Sequence, residues 1–132
     1  MKKDSEAALQ SAVIRYIKLK HPNIRYCASL GGQYQKFDSQ KTKAKKTGYV
    51  KGFPDLQITE ARGGYFGLFI ELKKDKKSYL KPEQKEWLTD LKCRGYCAIC
   101  CKGFDETIKA IDDYLSEQAT RTLHEAAAQL KI

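Results

Sequence analysis

Gly52-Phe53-Pro54-Asp55-Leu56-Gln57-Ile58, then Glu60-Ala61-Arg62-Gly63-Gly64, then Tyr65-Phe66-Gly67-Leu68-Phe69-Ile70-Glu71-Leu72-Lys73 is the stretch that decides the fold. Two apolar runs flank a glycine-containing turn, which is the pattern of a β-hairpin. Symmetry about Gly63 sets Asp55 opposite Glu71, Leu56 opposite Ile70 and Ile58 opposite Leu68. Because side chains alternate along a strand, Leu56, Ile58, Leu68, Ile70 and Leu72 then share an apolar face, and Asp55, Glu71 and Lys73 share the other. A slip of one residue would put every one of them on the wrong face, so the register is strongly specified.

Charged residues inside runs that otherwise read as buried strands need a partner or a ligand. Two carboxylates on adjacent strands repel unless something positive lies between them. A hard cation such as Mg²⁺ suits oxygen donors and retains several waters, so Asp55, Glu71 and the backbone carbonyl of Leu72 make a sufficient protein contribution. Lys73 would then face a bound water or a substrate phosphate, orienting the one or neutralising charge on the other. The same trio is also compatible with an ion-pair network on a solvated sheet face.

Pro54-Asp55, fifteen intervening residues and Glu71-Leu72-Lys73 together resemble the PD-(D/E)xK signature of metal-dependent nucleases. With Gly52-Phe53 ahead of it, Gln84 at the start of the next helix and Glu6 in an opening helix, the pattern is similar to that of the VRR-NUC family, from about Glu6 to Cys101. The resemblance implies an α/β fold with a three-layer, restriction-endonuclease-like core (αβββαβ) around a mixed sheet, with additional C-terminal helices. It implies a metal site that uses Mg²⁺ or Mn²⁺ on Asp55, Glu71 and Leu72 with help from Glu6, and a catalytic set of Asp55, Glu71, Lys73, Gln84 and Glu6. Small stand-alone members of the family, typical of phages and bacteria, act on branched DNA, including four-way junctions.

Length and charge agree with that reading. At 132 residues the chain has room for one core and reads as a single domain, 1–132. A formal charge of +9, from 25 Lys and Arg against 16 Asp and Glu, favours a polyanionic partner. No apolar run approaches membrane-spanning length. Met1-Lys2-Lys3-Asp4-Ser5-Glu6 turns acidic before any apolar run begins, so a secretory signal is not expected. The five cysteines are an odd number. Cys97-x-x-Cys100 lacks the second pair that a zinc site needs, and in a strand the two would point to opposite faces. Reduced thiols fit a cytoplasmic protein, or the host cytoplasm for a phage product.

In chain order, Asp4 or Ser5 is positioned to cap a helix ending near Lys20, with Leu9, Val13, Tyr16 and Ile17 at helical spacing and Pro22 beyond. Glu6 either serves the positive end of that helix or, as the family resemblance implies, approaches the metal site. Ile24 to Leu30 has the composition of a first strand, closed by Gly31-Gly32. From Gln33 to Lys51, Lys36, Lys41, Lys43, Lys45, Lys46 and Lys51 interleave with Tyr34, Phe37 and Tyr49 with little periodicity. A charge run of this kind is often only solvated, but this one reads as a mobile DNA-contacting loop, because interleaved basic and aromatic side chains hold phosphates and stack on bases. Lys74 continues the basic surface beyond Lys73.

Pro82 opens a helix through Trp87, Leu88 and Leu91 to Gly95, with Gln84 in its first turn, either an exposed helix former or a ligand to a phosphate or carboxylate. Tyr96 to Cys101 reads as a strand covered on both faces. Phe104 to Leu115 and Thr120 to Leu130 read as two further amphipathic helices. The latter carries Leu123, Ala126, Ala127 and Leu130 on one side, suited to packing or to a subunit contact.

The expectation is therefore a metal-dependent, structure-selective DNA endonuclease that hydrolyses phosphodiester bonds. Resolution of a four-way (Holliday) junction takes two symmetric cuts, which points to a homodimer. A flap or nicking nuclease, or an exonuclease, would use the same chemistry. A basic nucleic-acid-binding module without catalysis is the reading from another class, although acidic groups beside its lysines would repel phosphate.

Overall fold

The computed structural model describes residues 2–29 and 38–120, the side chains of 2–4 excepted. Its elements are α1 (Lys2–Lys20), β1 (Tyr26–Ala28), α2 (Asp38–Lys46), β2 (Leu56–Ile58), β3 (Leu68–Lys73), α3 (Pro82–Cys93), β4 (Cys97–Lys102) and α4 (Phe104–Ser116). The strands form one mixed sheet in the order β1-β2-β3-β4, with two antiparallel pairs followed by a parallel pair between β3 and β4.

The hairpin register is the expected one: Leu56 pairs with Ile70, Gln57 with Phe69 and Ile58 with Leu68. Leu56, Ile58, Leu68, Ile70 and Leu72 join one core, closed by Val13 and Ile17 of α1 and by Ile111, Tyr114 and Leu115 of α4. The opposite face rules out the solvated ion-pair alternative. It is not a solvent face, because α3 lies over it and builds a second core from Phe69, Leu88, Leu91 and Ala98. Covering both faces of a sheet with helices is what makes the layers three, and it puts Glu71 under α3 with 4% exposure.

Several boundaries also depart from the sequence reading. α1 starts at Lys2, so Asp4 and Ser5 lie in its first turn and do not cap it; no residue there breaks a helix. The first strand keeps only Tyr26–Ala28, with its pairing prolonged by the Ser29 N–H, which donates to the Asp55 carbonyl at 2.7 Å. Leu30 lies outside the described residues. Tyr65 and Phe66 are exposed and precede β3. The turn before them is held sideways: Arg62 bridges to Ala119, its guanidinium donates to the carbonyls of Leu115 and Glu117, and the Gly63 N–H donates to the Gln118 carbonyl.

The basic segment is not a featureless loop either. Asp38–Lys46 forms α2, with Asp38 in its first turn and Lys43, Lys45 and Lys46 in its last. That charge order complements the helix dipole, and lysine, glutamine and alanine have adequate helix propensity. α2 buries no residue, so it left no apolar period to read. The helix expected from Thr120 to Leu130 lies outside the described residues beyond its first position, as do Leu123, Ala126, Ala127 and Leu130. Cys97 belongs with the α1/α4 core and Cys100 with the α3 core, which is the opposite-face arrangement that argues against a shared metal. Among the described residues no helix is long and apolar enough to cross a membrane.

Candidate active site

The sheet brings Asp55, Glu71 and Lys73 together, and α3 adds Gln84. Asp55 follows the fully buried Pro54. Its carbonyl is tied to β1 through Ser29, and its Oδ2 accepts the Leu72 N–H at 2.8 Å. Leu72, expected to offer its carbonyl to a metal, thus already serves the site through its amide. Glu71 Oε1 accepts from Gln84 Nε2 at 2.8 Å. Lys73 Nζ donates to Gln84 Oε1 at 2.9 Å and stands 3.9 Å from Glu71 Oε1. The Lys81 backbone N–H donates to the same Gln84 oxygen at 2.8 Å. Two donors on one side and a carboxylate on the other fix which way the Gln84 amide points.

Gln84 therefore does two jobs with one side chain. As the third residue of α3 it reaches back to the N-cap backbone, one half of a capping box, and it also ties Glu71 to Lys73. The signal for the first role is legible in Lys81-Pro82-Glu83-Gln84, since a Gln three residues after an N-cap is a helix-start signature. The contribution of the Lys81 amide escaped the sequence reading because backbone donors leave no mark in residue type.

Glycine at position 52 makes the convergence possible. Its φ is +96°, and a Cβ there would sit 2.7 Å from the Glu83 carbonyl oxygen. The loop carrying Asp55 consequently runs against the first turn of α3, where Lys51 Nζ lies 3.5 Å from Glu83 Oε1.

The electrostatics of the carboxyl pair are unusual. Burial raises the Glu71 pKa, the nearby Asp55 charge raises it further, and the result is about 8. Burial also raises Asp55, against the Leu72 amide, which lowers it. Lys73 pulls both down, and the Glu6 charge pushes both up. Glu6, exposed on α1, therefore acts on the pair through its field. Among the described residues no cluster of three or more His, Cys, Asp or Glu is assembled for a metal.

Glu71 Oε2 is buried and lacks a hydrogen-bond partner. When charged, it is an orphaned anionic oxygen at a place where an unpaired buried charge is costly. A proton shared with Asp55 or a divalent cation resolves that cost. An oxygen-only donor set with two mutually repelling carboxylates fits a hard cation better than a soft one.

The basic residues differ in exposure. Lys41, Lys43, Lys45 and Lys46 are exposed on α2, and Lys51 is exposed beside α3. Lys74 is half-buried just past β3. Lys36 lies outside the described residues. α2 leads directly to the site: the Tyr49 N–H donates to the Ala44 carbonyl at 2.8 Å, and three residues later the chain reaches Gly52.

A family model described as the VRR-NUC domain matches residues 5–105. A solved structure described as a VRR_NUC domain protein is 35% identical, with a TM-score of 0.76, over 88% of this chain and 92% of its own. Among curated proteins none matches.

Proposed function

Because the chain belongs to the VRR-NUC domain family and has its nuclease-type fold, we propose that it is a divalent-metal-dependent endonuclease that hydrolyses phosphodiester bonds in branched DNA. The observation that carries this reading is the half-buried Asp55 paired with the buried Glu71 and its orphaned Oε2, beside a lysine locked by Gln84. Asp55 and Glu71, with the Leu72 carbonyl and Glu6 as further oxygen donors, would hold Mg²⁺ or Mn²⁺. When bound, the cation supplies Lewis-acid stabilisation of the charge that builds on the phosphoryl group.

The protein's own residues do the rest. Lys73 places a fixed positive charge beside the carboxylates, positioned to neutralise a phosphoryl oxygen in the transition state. Gln84 restrains that ammonium by accepting from it, and restrains Glu71 by donating to it, so neither group has to reorganise during the reaction. The α3 layer excludes water from Glu71 and strengthens each of these interactions. The lysines of α2, with Lys51 and Lys74, hold the DNA backbone around this centre.

Four-way junctions are the proposed substrate and a homodimer the proposed assembly, because a junction is resolved by two symmetric cuts and the described residues of each chain carry one such cluster. The test is incubation with four-way junction, flap and linear duplex DNA in Mg²⁺, Mn²⁺ or EDTA. Paired cuts in the junction that stop in EDTA are the expected result. Single nicks in flaps would transfer the same chemistry to a flap nuclease, and binding without cutting in any metal would reduce the protein to a nucleic-acid-binding module.

A further inference from the structure

Two adjoining clefts, which share Val50 and Trp87, have no part in the chemistry described. The larger, about 320 Å³, has Tyr49, Val50, Phe53 and Trp87 in its walls. The second, about 250 Å³, shares Val50 and Trp87 and continues along Glu83, Glu86 and Asp90. The larger reaches the small end of the range occupied by pockets for small ligands. Its position is set by the chain: Phe53 is two residues before Asp55, and Trp87 follows Gln84 by about one turn of α3, a rise of roughly 5 Å.

The walls are held in place. The Phe53 ring meets Trp87 edge-on, with centroids 4.9 Å apart at 82°, and meets Phe69 at 5.7 Å and 88°. Val50, shared by the two clefts, is 56% exposed, so apolar surface here faces solvent.

Charge decides the occupant. A phosphate is disfavoured next to Glu83, Glu86 and Asp90, even with Glu83 near Lys51 and Asp90 paired to Arg94 at 2.9 Å. These carboxylates line the second cleft, which meets the aromatic one at Val50 and Trp87; they suit the exocyclic amino groups at the edge of a base, which are hydrogen-bond donors. Phosphates have their own surface in the α2 lysines, the last of which, Lys46, is three residues before Tyr49. An aromatic slot flanked by lysines is the arrangement that stacks a base while gripping its backbone. Resting on the nuclease reading, we infer that one unstacked base of the strand to be cut enters the Tyr49–Phe53–Trp87 cleft and registers the neighbouring phosphate against Asp55 and Glu71. Selectivity for branch points then comes from the ease of unstacking a base there.

Trp87 is the sole tryptophan, which supplies a readout independent of cleavage. Its fluorescence would be followed in EDTA while titrating a forked duplex and a series in which a single abasic site is moved through the branch point. The intact fork should quench Trp87. An abasic site at one or two positions next to the branch should remove the quench and weaken binding roughly tenfold, the size of one base–aromatic stack. Tyr49→Leu, in a loop, should erase the difference between intact and abasic forks. Trp87→Phe, followed by anisotropy, should retain a reduced difference.

Equal responses to every abasic position, or saturation by anisotropy with no change in Trp87, would overturn the base cleft. Metal-dependent cleavage of the fork under those circumstances would leave the nuclease reading standing. Position-dependent quenching without cleavage in any metal would support the cleft and refute the nuclease.

Discussion

Glu71→Gln replaces the most strongly perturbed carboxyl with an amide of the same shape that does not titrate. Folding moves the Glu71 pKa from its ordinary 4.5 to about 8. Between those values the folded protein keeps a proton that the unfolded chain has released. The stability linked to that proton is fully present below about pH 4.5 and is lost as pH rises through about 8. At about 1.4 kcal/mol per pKa unit, the loss is on the order of 3–5 kcal/mol for a group this buried. Urea denaturation of both proteins in EDTA, at about pH 5 and about pH 8.5, measures it through the linked change in protons bound. The wild type should lose at least about 2 kcal/mol more than Glu71→Gln over this interval, and Mg²⁺ should remove most of the excess by taking the place of the proton. Parallel pH dependences of the two proteins would refute the assignment of Glu71 as the titrating buried group and the account of its orphaned oxygen.

Other expectations are independent of that titration. Gly52→Ala forces a Cβ to within 2.7 Å of the Glu83 carbonyl at a positive φ; it should cost about 1–3 kcal/mol by thermal denaturation and depress cleavage by moving Asp55 away from Gln84. Gln84→Leu strips a donor from Glu71 and an acceptor from Lys73, with an expected loss of about 1–3 kcal/mol in chemical denaturation and a fall in kcat larger than the change in KM. Neutralising Lys41, Lys43, Lys45 and Lys46 together should weaken DNA binding across sequences and reduce its log–log salt slope by roughly 0.9 for each phosphate that is no longer neutralised; an unchanged slope would make α2 a merely solvated helix. Light scattering at micromolar concentration should give about twice the 15.1 kDa chain mass, and a stable monomer would exclude paired cutting by a preformed dimer.

The hairpin was legible in the sequence because its register follows from one symmetry point and a period of two. Leu56, Ile58, Leu68, Ile70 and Leu72 had no other way to reach a common face. The same arithmetic brought Asp55 opposite Glu71 and set Lys73 beside them. Which element covers that cluster was not legible, because it depends on α3 folding back over the sheet. Phe69 was the available sign: it shares the face of Glu71, and a large aromatic there requires a cover.

α2 was missed for the opposite reason, since a helix with no buried side lacks the apolar period by which helices are read. Tyr65 and Phe66 looked like strand because they are aromatic, yet the sideways anchoring of Arg62 and Gly63 to the segment after α4 takes them out of the ladder. That anchor is a contact between distant parts of the chain, which local pattern does not encode.

The most direct measurement is cleavage of a labelled four-way junction by purified wild type, Asp55→Asn, Glu71→Gln and Lys73→Ala, each checked for native circular dichroism, in Mg²⁺ and in EDTA. The account predicts cutting by the wild type only with the metal, and none by any of the three variants although all still bind the junction. Wild-type cutting rates in Asp55→Asn or Glu71→Gln, or equal cutting by the wild type in EDTA, would contradict it.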